Sequence, residues 1–153
     1  MRINWYSRVA INLAELPNAI DYFMNEYDSA KLEVILGGNL ERAAANIPGL
    51  TEHRFSQLQE IEAILELLNI ELKAVRSKHH RKYLESYNRV LTSRDIDRYI
   101  DGELEVIDMA KLVNQMAFVR NEWIGIIKGF DMKSFKIGEI VKLRTAGMED
   151  VSI

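Results

Sequence analysis

The 153-residue sequence contains no cysteine, only two prolines and eight glycines. The absence of cysteine excludes disulfide bonds, thiolate metal sites and cysteine nucleophiles, and it fits a reducing cytoplasm. No apolar run approaches the roughly 18 residues that a membrane-spanning helix needs. The apolar stretch near the N-terminus is interrupted by Asn12 and Glu15, which is untypical of a signal peptide. We therefore expect a cytoplasmic protein with no membrane segment.

The sequence also lacks the motifs of common enzyme and nucleotide-binding classes. It has no GxxxxGK[ST] phosphate loop, no GxGxxG, no HExxH and no GxSxG. His79 and His80 are adjacent, about 100° apart on a helix, so they do not chelate one ion as an i, i+4 pair does. The sequence therefore predicts no enzyme, no metal ion and no cofactor.

Apolar residues recur at helical spacing along the chain, and no segment of convincing length alternates as a strand does. Pro17 opens a first predicted helix, which ends at Gly37. Thr51 is the predicted N-cap of a long second helix, which no glycine or proline interrupts before Gly102. Its apolar residues have the spacing of a heptad seam: Leu58, Ile61, Leu65, Leu68, Leu72 and Val75. At roughly 50 Å this helix is too long to be covered by one small domain, and it therefore indicates self-association.

The second half of the chain predicts further helices. Ser93 caps a short helical turn before the break at Gly102, and another long helix runs from about Glu103 to Lys128. "GFDMKS" predicts a turn, after which a short amphipathic helix is closed by Gly147. We expect an all-α protein: an elongated helical bundle with two long antiparallel helices and a short C-terminal amphipathic helix, assembled into a homo-oligomer larger than a dimer.

Charged residues are grouped in blocks of one sign. Residues 73–94 contain seven basic residues against Glu85 alone, and residues 95–108 contain six acidic residues against Arg98 alone. Such blocks neutralise each other either within one chain or between subunits. The net charge of −3 gives no overall attraction to nucleic acid, so nucleic-acid binding would need a local basic patch.

The centre of the basic block reads "KHHRKYLESYNR", residues 78–89. On an ideal helix four of its basic residues lie on one side, opposite the apolar seam: Lys78, Arg81, Lys82 and Arg89. One interpretation is a solvated helix face with local pairing to Glu85. Tyr83 and Tyr87 flank the patch, however, and mixed basic and aromatic groups are typical of sequence-independent single-strand binding. His79 falls on the seam, where we expect a partly buried polar residue.

Residues 97–108, "DRYIDGELEVID", match part of a twelve-residue calcium loop. Asp97, Asp101 and Asp108 occupy positions one, five and twelve, and Gly102 occupies position six. Tyr99 stands where an oxygen ligand is needed. The simpler interpretation is an acidic helix start, since carboxylates stabilise the positive end of a helix.

The C-terminal segment carries a spaced set of residues: Phe135, Ile137, Ile140, Leu143, Arg144 and Ala146-Gly147. Together with "DIDRYIDGELE" (95–105) and "IPGL" (47–50), this set resembles the UvsY-like family of phage recombination mediators. The likeness covers residues 45–147, and residues 1–44 form an N-terminal helical extension outside it. We expect both to belong to a single helical domain, 1–153.

The resemblance implies a ring-forming, non-enzymatic protein in the cytoplasm of a bacterial host. Such proteins bind single-stranded DNA and help a RecA-like recombinase to displace the single-strand-binding protein. The implied DNA contacts are Lys78, Arg81 and Lys82, with Arg76 and Arg89 beside them. The mixed basic and aromatic pattern of residues 78–89 adds Tyr83 as a predicted stacking contact. The implied subunit contacts are Phe135, Ile137, Ile140 and Leu143. The alternative is a DNA-free helical oligomeric scaffold or adaptor, in which the charge blocks only organise protein contacts.

Overall fold

A computed structural model describes residues 4–87 and 89–148. Within them, five α-helices follow in order: α1 (Trp5–Ile11), α2 (Leu16–Val34), α3 (Leu40–Ser86), α4 (Ser93–Asp101) and α5 (Leu104–Thr145). A short 3₁₀ turn, Leu13–Glu15, joins α1 to α2. None of the described residues lies in a β-strand, and the prediction of an all-α protein is confirmed.

The first long helix, α3, begins at Leu40 and not after Thr51. Its N-cap is Asn39, whose side chain accepts a hydrogen bond from a backbone N–H of the first turn at 2.9 Å. Pro48 lies inside the helix, where its missing N–H leaves the carbonyl of Ala44 without its usual donor. Both residues are exposed, so water can supply the lost hydrogen bond. The predicted start at Thr51 is therefore wrong, because this proline removes one hydrogen bond without ending the helix.

The second long helix, α5, continues without a break to Thr145, so the predicted turn at "GFDMKS" and the separate short C-terminal helix are wrong. Contacts with the end of α2 favour the continuous helix. Gly129 packs so closely that an added Cβ would lie 2.7 Å from Cγ1 of Val34. Four residues later, the Lys133 ammonium donates a hydrogen bond to the Glu33 carbonyl at 2.7 Å.

Other helix ends follow the sequence signals more closely. Pro17 lies in the first turn of α2, as predicted. Gly147 follows α5 with φ of 82°, and its N–H donates to Arg144 in the glycine-based helix ending that the sequence predicts. The cap of α4 is Thr92 and not Ser93: the Thr92 hydroxyl accepts from the Asp95 N–H, while the Asp95 carboxylate faces back to Thr92.

The long helices α3 and α5 run in opposite directions, as two contacts show. Arg54 of α3 lies over Trp123 of α5, whereas His79, two dozen residues later in α3, contacts Glu105 near the start of α5. The seam of α3 lies in the core that these helices form. Its first four members are buried: Leu58, Ile61, Leu65 and Leu68. The seam is therefore covered by the chain's own helices, and it does not by itself require a second subunit.

The N-terminal helices belong to the same core. Val9 of α1 and Phe23 of α2 are buried among residues of α3 and α5, and the Phe23 ring meets Trp123 edge-on at 6.4 Å. A second, smaller cluster lies at the other end of α3. There Ile96, Ile100 and Val106 pack against the half-buried ring of Tyr83 and its apolar neighbours. This smaller cluster places α4 and the start of α5 beside the basic end of α3.

Candidate nucleic-acid interface

The candidate interface lies at the C-terminal end of α3. Four of the predicted basic contacts are on this helix, the last of them half-buried and the others exposed: Lys78, Arg81, Lys82 and Arg76. The helix ends at Ser86, and Tyr87 is extended with φ of −97° and ψ of 128°. Arg89 therefore lies in the connection to α4. The prediction that it shares a helical face with the other cations is wrong, because the backbone leaves the helix before reaching it.

The basic block is paired with the acidic block of the same chain. Arg76 Nη1 lies 2.7 Å from Asp101 Oδ1, and Lys78 Nζ lies 3.2 Å from Glu105 Oε2. Lys82 Nζ lies 3.9 Å from Glu103 Oε1. Of the two arrangements that the sequence leaves open for these blocks, neutralisation within one chain is present. The lysines nevertheless stay largely accessible, with side chains 68% and 61% exposed for Lys78 and Lys82.

His79 is buried between the same two carboxylates. The residue is 7% exposed, and its Nε2 lies 2.9 Å from Glu105 Oε2, while its Nδ1 lies 3.7 Å from Glu103 Oε1. Burial of the seam histidine agrees with the sequence prediction. Hydrogen bonds from His79 and then Lys78 hold the pKa of Glu105 below its usual value, so this carboxyl is charged at neutral pH.

Tyr83 is tied to the acidic turn by its hydroxyl group. The hydroxyl donates a hydrogen bond to Glu103 Oε1 at 2.5 Å. This bond raises the pKa of Tyr83 to about 12 and, from the other side, lowers the pKa of Glu103. At neutral pH the Tyr83 phenol is therefore an uncharged hydrogen-bond donor, and the Glu103 carboxylate is negatively charged. The ring of Tyr83 is half-buried, which leaves it a poor surface for a nucleobase.

Two further tyrosines extend the aromatic surface. The rings of Tyr83 and Tyr99 stack with centroids 5.5 Å apart, and Tyr87 lies 5.7 Å from Tyr83 and 6.2 Å from Tyr99. Tyr87 and Tyr99 are each about half exposed, at 49% and 47%. The ammonium of Lys82 lies 6.0 Å from the Tyr83 ring, which joins this aromatic cluster to the cations. Sequence reasoning missed Tyr99, because it belongs to a different helix.

The possible calcium loop is not a loop. Asp97 and Asp101 lie in α4, Gly102 forms the connection, and Asp108 lies in the second turn of α5. Asp101 is already paired with Arg76. Among residues 4–87 and 89–148, no three acidic or histidine side chains come together in a group that would hold a metal ion. Within this segment Glu105 lies in the first turn of a helix, α5, whereas Asp97 lies inside α4 and Asp101 at its end, so the acidic helix start describes part of the segment.

The predicted subunit contacts point in different directions from the last turns of α5. Ile137 is buried at 7% exposure and Ile140 is half-buried, so both face the chain itself. Phe135 and Leu143 are exposed, at 65% and 39%. They border a shallow groove that also includes Gly138. Of the four predicted contacts, Phe135 and Leu143 are thus the ones accessible to another molecule.

A buried ion-pair network at the opposite end of α3 was not anticipated. Arg54 is 4% exposed; its guanidinium contacts both carboxylate oxygens of Glu33, at 2.6 and 2.8 Å, and Glu26 at 2.7 Å. Gln57 donates to Glu26 at 2.9 Å. The hydrogen bond from Gln57 lowers the pKa of Glu26, and that from Arg54 to Glu33 raises the pKa of Arg54. One signal was available: Arg54 precedes Leu58 by four residues, on an extension of the apolar seam.

Comparison of the chain with known protein families, with curated proteins and with solved structures finds no match. None of the helices in the described part of the chain is long and apolar enough to cross a membrane. Within the described residues the protein is all-helical, and one end of its longest helix brings together exposed cations, an acidic turn hydrogen-bonded to His79 and Tyr83, and a cluster of three tyrosines.

Proposed function

We propose that this protein binds single-stranded DNA without catalysing a reaction, as an accessory factor that helps to load a RecA-like recombinase. The observation that carries the proposal is the juxtaposition of exposed cations with half-exposed tyrosine rings at the end of α3. The resemblance of residues 45–147 to UvsY-like mediators supplies the recombinase and the single-strand-binding protein as expected partners. Repetition of the interface in a homo-oligomer is part of the same proposal.

The chemistry of the interface matches that of a single strand in two respects. Lys78, Arg81 and Lys82 offer three exposed positive charges to phosphates. Tyr87 and Tyr99 are each about half exposed and would stack on unpaired bases, and stacking of this kind tolerates any base. A duplex keeps its bases stacked inside, so these rings favour a single strand. One such site binds weakly, but linked copies around an oligomer would bind a long strand much more tightly.

Replacement of Lys78, Arg81 and Lys82 with alanine tests the phosphate contacts. We expect weaker binding of a labelled single-stranded oligonucleotide in a fluorescence-anisotropy titration. The slope of log K against log salt should become flatter by about 0.7 for each lost contact, or about 2 for the triple variant. The fold should persist, because these side chains are exposed.

The matched control replaces three exposed cations outside the interface with alanine and so makes the same change in net charge: Arg42, Lys111 and Lys128. It should bind nearly as the wild type does, and a duplex of equal length should bind more weakly in both proteins. Equal affinity and equal salt slope in the triple variant and the wild type would contradict the proposal.

The alternative function is a DNA-free scaffold, and one observation favours it. The candidate cations Arg76, Lys78 and Lys82 already have carboxylate partners in the same chain. If these pairs serve only to hold α4 and α5 against α3, the triple alanine variant should lose thermal stability while oligonucleotide binding stays absent in every protein. The titration and a melting curve, measured on the same samples, therefore separate the two functions.

A further inference from the structure

The start of α5 places two carboxylates directly over the cations of the candidate interface. Glu103 and Glu105 follow the Gly102 connection and face α3 across residues 78–83. Each contacts an exposed lysine and, in addition, a group on the less accessible side of α3. Glu105 Oε2 is shared between Lys78 and His79, and Glu103 Oε1 lies between Lys82 and Tyr83.

The partners of each carboxylate differ in how exposed they are. His79 is buried, and the half-buried Tyr83 ring packs on Ile96, Ile100 and Val106, so both hold their carboxylates in place. Lys78 and Lys82 have long side chains that are mostly exposed, and an exposed ion pair contributes only about 0–1 kcal/mol. The lysines can therefore move to another anion, whereas the carboxylates stay where they are.

We infer that Glu103 and Glu105 are a built-in competitor for the phosphates of single-stranded DNA at this interface. The inference rests on the proposed function and describes how that site is regulated. A phosphate that binds Lys78 or Lys82 must compete with a carboxylate for the lysine and then remain close to the charge of that carboxylate, so the affinity of each site is held below what its cations alone would give. Weak individual sites release a strand readily, yet several of them together hold a long one.

The test compares the double variant Glu103→Gln/Glu105→Gln with the wild type by anisotropy titration with a labelled single-stranded oligonucleotide. Glutamine keeps the size of the side chain and an acceptor for Tyr83, while it removes the charge and replaces one oxygen with an NH2 donor. We expect tighter binding, by roughly two- to fivefold for each released lysine. The control Asp21→Asn/Glu52→Gln makes the same change in net charge at exposed positions away from the interface and should bind much as the wild type does.

A double-mutant cycle separates competition from general electrostatics. Lys78→Ala should reduce affinity more in the Glu105→Gln background than in the wild type, because only there is Lys78 free of its carboxylate. A cost of Lys78→Ala that is equal in the two backgrounds would overturn the inference, as would a Glu→Gln variant that binds no more tightly than the control. If the double variant does not fold, the single variant Glu105→Gln is titrated in its place, since it leaves the hydrogen bond between Tyr83 and Glu103 intact.

The two proposals fail in different ways. Binding by the wild type with no gain in the glutamine variants overturns the competitor and leaves the DNA interface standing. Absence of binding in the wild type, the control and the glutamine variants alike overturns the proposed function and the competitor together. Detectable binding by the glutamine variant alone supports the competitor, since it shows that the carboxylates block an interface that the cations otherwise form, and it overturns DNA binding as the function of the unaltered protein.

Discussion

Arg54 carries a positive charge in the interior of the protein, and its environment explains how α2 is held against α3. A buried guanidinium is tolerated when carboxylates and hydrogen bonds replace its water. Glu33 binds it through two oxygens and Glu26 through one, so two carboxylates of α2 are bound to one residue of α3. The ring of Trp123 closes the other side at 5.8 Å. The network therefore fixes how α2 lies on α3 in addition to the apolar contacts.

At the scale of this residue, we expect Arg54→Met to destabilise the protein by roughly 2–4 kcal/mol, because two carboxylates lose their partner in a mostly buried setting. The measurement is the free energy of unfolding in urea. Adding Glu26→Gln and Glu33→Gln should recover part of the loss by removing the stranded charges.

The control for that prediction is Lys31→Met, which breaks an exposed ion pair between Lys31 and Asp28 within α2. It should change stability by less than about 1 kcal/mol. If Arg54→Met lowers the free energy of unfolding no more than Lys31→Met does, the structural role of the network is contradicted.

At the scale of the element, the continuity of α5 depends on how one glycine packs. Gly125 and Gly129 lie one turn apart in the same helix, and glycine weakens a helix interior at both positions. Their surroundings differ: a Cβ on Gly125 would meet nothing within 4 Å, whereas one on Gly129 would press on Val34. Gly129 therefore permits the close approach of α5 to the end of α2, and Gly125 has no such role.

We predict opposite effects of the same substitution at these two glycines. Gly125→Ala should stabilise the protein by about 0.5–1 kcal/mol, through the lower conformational entropy of the unfolded chain. Gly129→Ala should destabilise it by roughly 1–3 kcal/mol, because the stiff Val34 side chain cannot yield without a shift of α2.

Thermal and urea unfolding of the two variants provide the comparison, and each serves as the control for the other. Val34→Ala should lessen the cost of Gly129→Ala by making room for the added methyl group. Equal stability of the two alanine variants would show that α2 adjusts freely, and would remove close packing as the reason for the glycine.

At the scale of the whole molecule, the length of α3 does not by itself require self-association, because other helices of the same chain pack on its seam. What remains is the exposed apolar edge at the end of α5, where Phe135 and Leu143 border a shallow groove. Together with the resemblance to ring-forming mediators, this edge is the proposed subunit contact.

We expect Phe135→Glu/Leu143→Glu to lower the assembly state, because a contact through these side chains would have to bury two new charges. Light scattering at micromolar concentration gives the mass directly. A truncation after residue 133 would be a less specific test, because it would also remove the buried side chain of Ile137.

The matched control for assembly is Leu32→Glu/Phe118→Glu, which places two charges on other exposed apolar positions. It should keep the wild-type mass. A wild-type protein with the mass of one chain would contradict the assembly proposal outright, and an unchanged mass in the Phe135→Glu/Leu143→Glu variant would exclude this edge as the contact.

Local signals that depend on a few neighbouring residues were read correctly from the sequence. The seam from Leu58 to Leu68, the buried position of His79, the proline that opens α2 and the glycine that follows α5 all occur where predicted. Each depends on helical spacing or on the backbone preference of one residue, which the sequence states directly. The predictions at Thr51 and at "GFDMKS" are wrong for different reasons: Pro48 removes one hydrogen bond at an exposed position without ending α3, and contacts with the end of α2 favour a continuous α5.

By itself the sequence determined an all-helical chain, the stripe of apolar residues that each long helix buries, and two adjacent blocks of opposite charge. Only the tertiary structure decided what those blocks do, because the connection at Gly102 returns the acidic residues onto the basic end of α3. It likewise brought Tyr99 to Tyr83 and Tyr87, and Glu26 and Glu33 to Arg54. Such contacts join residues far apart in sequence. They depend on the direction in which each helix leaves its turn, which composition and periodicity do not encode.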